Sequence, residues 1–179
     1  MKRIMLVIAA AIALSPLAAA AHGPVRQKAT ETVEIAVPPE KVWARIGKYN
    51  DMSWWPRVVA TDTPDTQEKD QVRTLTLDSP DGPKIVEELA KYDDAKMTYN
   101  YRIDSVDLAV LPVTNFAGGF SVAPGADGGS TVEARAAFYR GFPNNNPPPE
   151  LNDEASLAAV KAWLRSGLDA LKAELEATN

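Results

Sequence analysis

The amino-acid sequence predicts an α+β domain in which an antiparallel sheet packs against one long C-terminal helix. Two observations carry this. Between residues 30 and 142 the chain breaks into short runs rich in Val, Thr, Tyr and Phe, separated by clusters of Gly, Pro and Asp, the pattern of strands joined by turns in a meander. From Leu157 onward, Leu157, Val160, Leu164, Leu168, Leu171 and Leu175 recur at spacings of three and four, which draws one apolar stripe along a helix of several turns. Such a stripe must be buried, and the sheet is the large partner available.

Taken in order, "TVEIAV" places Val33, Ile35 and Val37 on one face of a strand, and Pro38 and Pro39 end it and start a short helix holding Val42, Trp43 and Ile46. Trp43 reads as core. "YNDMSWWP" is a second short helical or turn segment closing at Pro56, followed by a strand through Val58 and Val59. Then come the strands "QVRTLTL", "KIVEELAKY", "KMTYNYRID", "LPVTNFAGGFSV" and "TVEARAAFYRGF", with turns at "DSPDGP", "DDA" and "PGADGGS". Asn152 or Asp153 can cap the final helix. The expected order is a strand, two short helices, a run of strands and the long helix.

The segment Met1 to Ala21 has the layout of a secretory signal: Lys2 and Arg3, an apolar run from Ile4 to Leu14 that is short for a bilayer span, and small residues in "SPLAAAA". The expected division is a signal at 1–21, an N-terminal extension at 22–29 and one domain at 30–179, with the exported protein in the periplasm; an uncleaved anchor is the alternative. The chain carries net charge -5, and removal of Lys2 and Arg3 leaves -5 - 2 = -7, a poor balance for nucleic-acid binding. It has no cysteine, which removes thiol catalysis, thiolate metal sites and disulfide exchange. Its one histidine, His22, stands at the expected new amino terminus, where it either chelates copper with the free amine or simply frays; no metal or other cofactor is expected.

Catalysis finds little support. Arg102, Arg135, Glu87 and Glu88 fall in strands, where such charges usually occupy the solvated face, and neither a phosphate loop nor a carboxylate pair stands out by spacing. The stretch "YRGFPNNNPPPELNDE" is more informative. Proline fixes its own backbone angle and lacks a donor, while asparagine bonds its own turn, so an extended, stiff loop without regular structure is expected. It is longer than a connection of about four to six residues requires. Arg140, Phe142, Asn144, Asn145 and Asn146 are therefore candidates for contact with a partner or for gating a cavity, Phe142 with Tyr139 and Arg140 beside it supplying the aromatic and cationic anchors that interfaces favour, with a plain spacer as the alternative.

The segments "VPPEKVWARIGKYNDMSWWP", "LPVTNFAGGFSVAP" and "STVEARAAF" resemble signatures of the START-like polyketide cyclase/dehydrase (SRPBCC) superfamily. The start "HGPVRQKATETVEI", the segment "NDMSWWP" and "FYRGFPNNNPPPELNDEA" are similar to one branch of it, the MxaD-type periplasmic proteins associated with bacterial methanol oxidation. The resemblance implies a helix-grip fold, a curved antiparallel sheet wrapped around the long C-terminal helix. It also implies a cavity between them, for which Trp54, Trp55, Tyr99, Tyr101, Phe120 and Tyr139 are the candidate lining residues, ordinary core packing being the alternative. Ala134 departs from the pattern, since a tryptophan often stands there, and the departure implies a gap or a wider pocket.

Three functions follow as expectations. The first is a non-enzymatic accessory protein of methanol oxidation, touching methanol dehydrogenase, its cytochrome c acceptor or their maturation machinery. The second is a carrier of a small apolar ligand or lipid. The third is a cyclase-like or dehydratase-like enzyme.

Overall fold

The structure is a computed structural model and describes residues 23–178; the segment 1–21, expected to be a secretory signal, and His22 lie outside the described residues. Among the described residues seven strands form one antiparallel sheet: β1 (Gln27–Ile35), β2 (Val58–Asp62), β3 (Val72–Leu77), β4 (Lys84–Asp93), β5 (Thr98–Val106), β6 (Val113–Pro124) and β7 (Ser130–Arg140). Their spatial order is β1-β7-β6-β5-β4-β3-β2. Strands β2 to β7 are thus a plain meander, and β1 returns to the far edge to pair with β7, Val33 opposite Val132 and Gln27 opposite Phe138.

That topology sends the connection from β1 to β2 across the whole width of the sheet. Helix α1 (Pro39–Ile46) and the segment 47–57 make the crossing and bury Val42, Trp43, Ile46, Tyr49, Met52, Trp54 and Trp55. Pro39 opens α1 at a position whose missing N–H costs nothing, and Gly47 closes it by donating to the Trp43 carbonyl. The second short helix is absent. Residues 48–58 form successive turns instead, with Asp51 N bonded to Lys48 O, Trp55 N to Met52 O and Val58 N to Trp55 O. A continuous helix would place Trp54 and Trp55 on diverging faces, whereas both indoles are buried here.

Helix α2 (Asp153–Ala177) is capped by Asn152, whose Oδ1 accepts from Ala155 N at 2.8 Å. Its stripe lies as expected on the sheet, with Val160, Leu164, Leu168 and Leu171 fully buried, and it is widened by Ser156, Trp163 and Gly167. Gly167 is there for space: a Cβ on it would overlap the six-membered ring of Trp55. The helix rests chiefly on β1 and β7, where Arg165 reaches Glu31 Oε2 and Gln27 Nε2 reaches the Asp153 carbonyl. No helix among the described residues is long and apolar enough to cross a membrane.

Candidate functional site

The concave side of the sheet is where the fold would hold a ligand, and here aromatic rings fill it. Phe120 of β6 is the hub, with its centroid 5.5 Å from Trp54, 5.9 Å from Trp55, 5.4 Å from Tyr99 and 6.1 Å from Tyr101. These separations and their mostly tilted or edge-on angles are those of ordinary aromatic packing. Trp163 of α2 closes one end, 5.1 Å from Trp55. Five of the six candidate lining residues thus meet in one cluster.

Tyr139 does not join them. It sits on the opposite, outer face of β7, half-buried, with the Arg26 guanidinium 5.5 Å above its ring. The inward parity of β7 runs through Val132, Ala134, Ala136 and Phe138, so residue 139 must point away. Ala134 has no accessible surface, so the gap expected at that position is closed. Internal space large enough for water would leave accessible area on its walls, yet Tyr99, Leu164, Leu168 and Phe138 have none.

Sequence reasoning missed the charges inside this cluster. Arg73 of β3 and Glu87 of β4 face each other in the ladder and are both buried. Arg73 Nε donates to Glu87 Oε2 at 2.6 Å and its Nη1 donates to the Tyr49 carbonyl at 3.0 Å. Its guanidinium stands 4.0 Å from the centroid of the Tyr49 ring and 5.6 Å from that of Tyr101. Burial pushes the Glu87 carboxyl above its usual range, and the Arg73 cation opposes that shift. Burial likewise pushes the Tyr99 phenol to about 12 against Arg73, and the Tyr101 phenol well above its usual value. The signal was present in the pattern, since Arg73 is in phase with Leu75 and Leu77, and Glu87 with Ile85 and Leu89. Glu88, Arg102 and Arg135 occupy the opposite parity and the outer face, as alternation predicts.

Some buried polar atoms in the same region find no hydrogen-bond partner among the described residues. They are Tyr49 Oη, Trp54 Nε1, Trp55 Nε1 and Arg73 Nη2, the last still 2.6 Å from Glu87 Oε2 but poorly aligned with it. Each such donor costs about 1–3 kcal/mol. Among the described residues, no group of His, Cys, Asp and Glu side chains is placed to hold a metal ion.

The second candidate is the connection from β7 to α2. Its floor is set by Arg140, the last residue of β7, which points inward and is 4% exposed. Its Nε donates to the Phe142 carbonyl at 2.9 Å, its Nη2 to the Asn144 carbonyl at 2.8 Å and its Nη1 to Asp153 Oδ2 at 2.9 Å. Asn144, Asn145 and Asn146 are exposed, and Asn146 takes the left-handed conformation at φ 57° that asparagine tolerates. Phe142 is half-buried. The loop is irregular up to its end, where Pro149–Leu151 make one 3-10 turn that sequence reasoning did not anticipate. Of the partner-contact candidates, the three asparagines therefore face solvent, while Arg140 lies beneath them as their anchor.

A curved seven-stranded antiparallel sheet gripping a long C-terminal helix defines a START-like protein. The chain belongs to the family described as polyketide cyclase / dehydrase and lipid transport, which matches residues 26–176. Among solved structures it is similar to an uncharacterised protein from Bacillus thuringiensis, at 28% identity and TM-score 0.69 over 83% of this chain and 98% of that one. It is equally similar to the protein XoxI from Bacillus cereus, at 28% identity and TM-score 0.69 over 85% and 98%. Ara h 8.0201, at 18% identity and TM-score 0.63 over 87% and 100%, shares the fold alone. No curated protein matches the chain.

Proposed function

We propose that this chain is an exported accessory protein of methanol oxidation that acts by touching a protein partner through the loop 141–152. The observation that carries this is the Arg140 clamp, in which a buried guanidinium fixes the backbone under three exposed asparagines. A loop held in one shape loses less entropy on docking than a free one. The packed concavity leaves surface contact as the simpler mode of action, and the resemblance of "FYRGFPNNNPPPELNDEA" to MxaD-type sequences supplies methanol dehydrogenase or its cytochrome c acceptor as the partner.

The experiment replaces Phe142 and Asn144 to Asn146 with Gly and Ser. Thermal stability and dehydrogenase-to-cytochrome electron transfer are then measured with the protein added. Transfer should fall while stability holds; unchanged transfer in a folded variant reduces the loop to a spacer.

A second reading, carriage of a small apolar ligand, is favoured by the family's description and by the unpartnered donors on Tyr49, Trp54 and Trp55. A ligand entering between the sheet and α2 would have to displace rings and could satisfy those donors. Native mass spectrometry of the protein taken from the periplasm tests it, with a mass excess lost on denaturation as the expected sign.

A further inference from the structure

The outer face of the sheet, opposite α2, carries a cleft that neither reading uses. Strand alternation turns Lys28, Arg102, Arg135, Ala117 and Ala137 onto this face. The cleft holds about 460 Å3, and its lining includes three cations, Lys28, Arg102 and Arg135, with no carboxylate. A second cleft of about 560 Å3 continues it through the shared Arg102 and Ala117, adding Arg26 and a single carboxylate, Asp104. This is a concentration of positive charge on a chain whose net charge is -5.

Its floor is kept low by small residues. Ala117 and Ala137 stand opposite each other in the ladder, and Gly119 stands opposite Arg135. The space a side chain on Gly119 would need is taken by the Asn100 carboxamide, whose Oδ1 would lie 2.5 Å from such a Cβ. Asn100 Oδ1 accepts from Arg135 Nη2 at 3.0 Å, and Glu133 sits 3.2 Å from Nη1, so the guanidinium is held at the rim. Arg102 pairs loosely with Glu88 at 3.6 Å and its side chain is 64% exposed. Exposed pairs of this kind contribute little to stability, so a partner's carboxylate can replace the internal one at little cost.

We propose that this outer face is a docking groove for an extended acidic segment of a protein partner. Charge complementarity selects the sign of the occupant. Shape selects its kind: small-ligand sites enclose most of their ligand, whereas this groove is shallow, flanked by exposed arginines and continuous across two clefts. An extended chain advances about 3.3 Å per residue and shows alternate side chains to the surface, so it can set successive carboxylates against Arg135, Arg102 and Arg26 while its backbone crosses the alanine floor. None of the residues lining the two clefts belongs to the loop 141–152, and the groove does not depend on a role in methanol oxidation.

The test titrates the 15N-labelled protein with a blocked decapeptide of alternating Glu and Ala at about 50 mM salt, where exposed charges are weakly screened. Amide shifts are expected at Asn100, Arg102, Ala117, Gly119, Arg135 and Ala137. Affinity should fall about tenfold or more in the variant Arg102→Glu with Arg135→Glu, and severalfold at about 200 mM salt. Arg135→Gln, which removes the charge without reversing it, should weaken binding at an unchanged thermal midpoint. Replacements at Phe142 and Asn144 to Asn146 should leave peptide binding intact, which separates this proposal from the loop reading. Shifts elsewhere, an equal response to a blocked decapeptide of alternating Lys and Ala, the same shifts with succinate alone, or a face covered by a second copy in sedimentation would each overturn it.

Discussion

The guanidinium of Arg73 and the carboxylate of Glu87 meet at 2.6 Å in a place where their side chains are 0% and 4% exposed. Removing two ions from water is costly, and their attraction repays it only while both are present. Glu87→Ala should therefore destabilise the fold by about 3–5 kcal/mol, because it strands a buried cation among tyrosine rings. The double variant Arg73→Met with Glu87→Leu should be near neutral or more stable than the parent. Urea denaturation of both decides this; a single variant costing under about 1 kcal/mol would mean that water reaches the pair.

Gly167 sets two known effects against each other. In the interior of a helix, alanine is favoured over glycine by about 1 kcal/mol, so propensity alone makes Gly167→Ala stabilising. Overlap of the new methyl with the Trp55 ring works the other way, at about 1–3 kcal/mol for an overpacked core. The packing term should win, and the thermal midpoint should drop. In Trp55→Leu, where the ring is gone, the same change should lose its cost or become favourable, and a double-mutant cycle measures that reversal.

The tyrosine cluster predicts a loss of stability at alkaline pH. Burial raises the Tyr99 phenol from 10.0 to about 12, and raises Tyr49 and Tyr101 in the same direction. An acid whose folded value is raised contributes stability that is complete below its unfolded value. That contribution is then lost as pH rises through the folded one. The window therefore opens near pH 10, where tyrosines of the unfolded chain ionise, and extends through about pH 12. Tyrosinate absorbance should appear late and together with unfolding; ionisation of every tyrosine near pH 10 with the fold intact would contradict the burial.

Local patterns carried most of the fold. Alternation in "TVEARAAFYR" and the stripe from Leu157 to Leu175 were readable because each is a repeat along one element. Closure of β1 onto β7 was not, since it pairs Gln27 with Phe138 and no local repeat records so distant a partner. The same β7 run has apolar residues on both parities, which is how Tyr139 could be grouped with the cavity although it faces outward. Glu87 failed for another reason: its phase was inward, but the general rule that strand charges are solvated outweighed it, and its partner Arg73, equally in phase with the core, was not singled out. The triple asparagine was singled out by composition, yet the role of Arg140 beneath it required three-dimensional contacts.

Arg140 makes directed bonds to two loop carbonyls and to Asp153 Oδ2, the side chain of the first residue of α2, so it ties β7, the loop and the helix start together. Methionine preserves much of its length and none of these bonds. Arg140→Met should lower global stability by only about 1–3 kcal/mol, within the usual value of a few charge-assisted hydrogen bonds, because the aromatic cluster does not depend on it. Its main effect should be local, with faster hydrogen exchange at Asn144, Asn145 and Asn146 and unchanged protection in β3 to β6. Arg140→Lys should fall between the two, since an ammonium restores the charge but cannot reproduce the forked geometry that reaches Phe142, Asn144 and Asp153 together. If the loop works as a preformed contact surface, electron transfer should decline in the order parent, lysine, methionine while all three remain folded. Faster exchange with undiminished transfer would separate the clamp from the function and leave Arg140 as a purely structural tie.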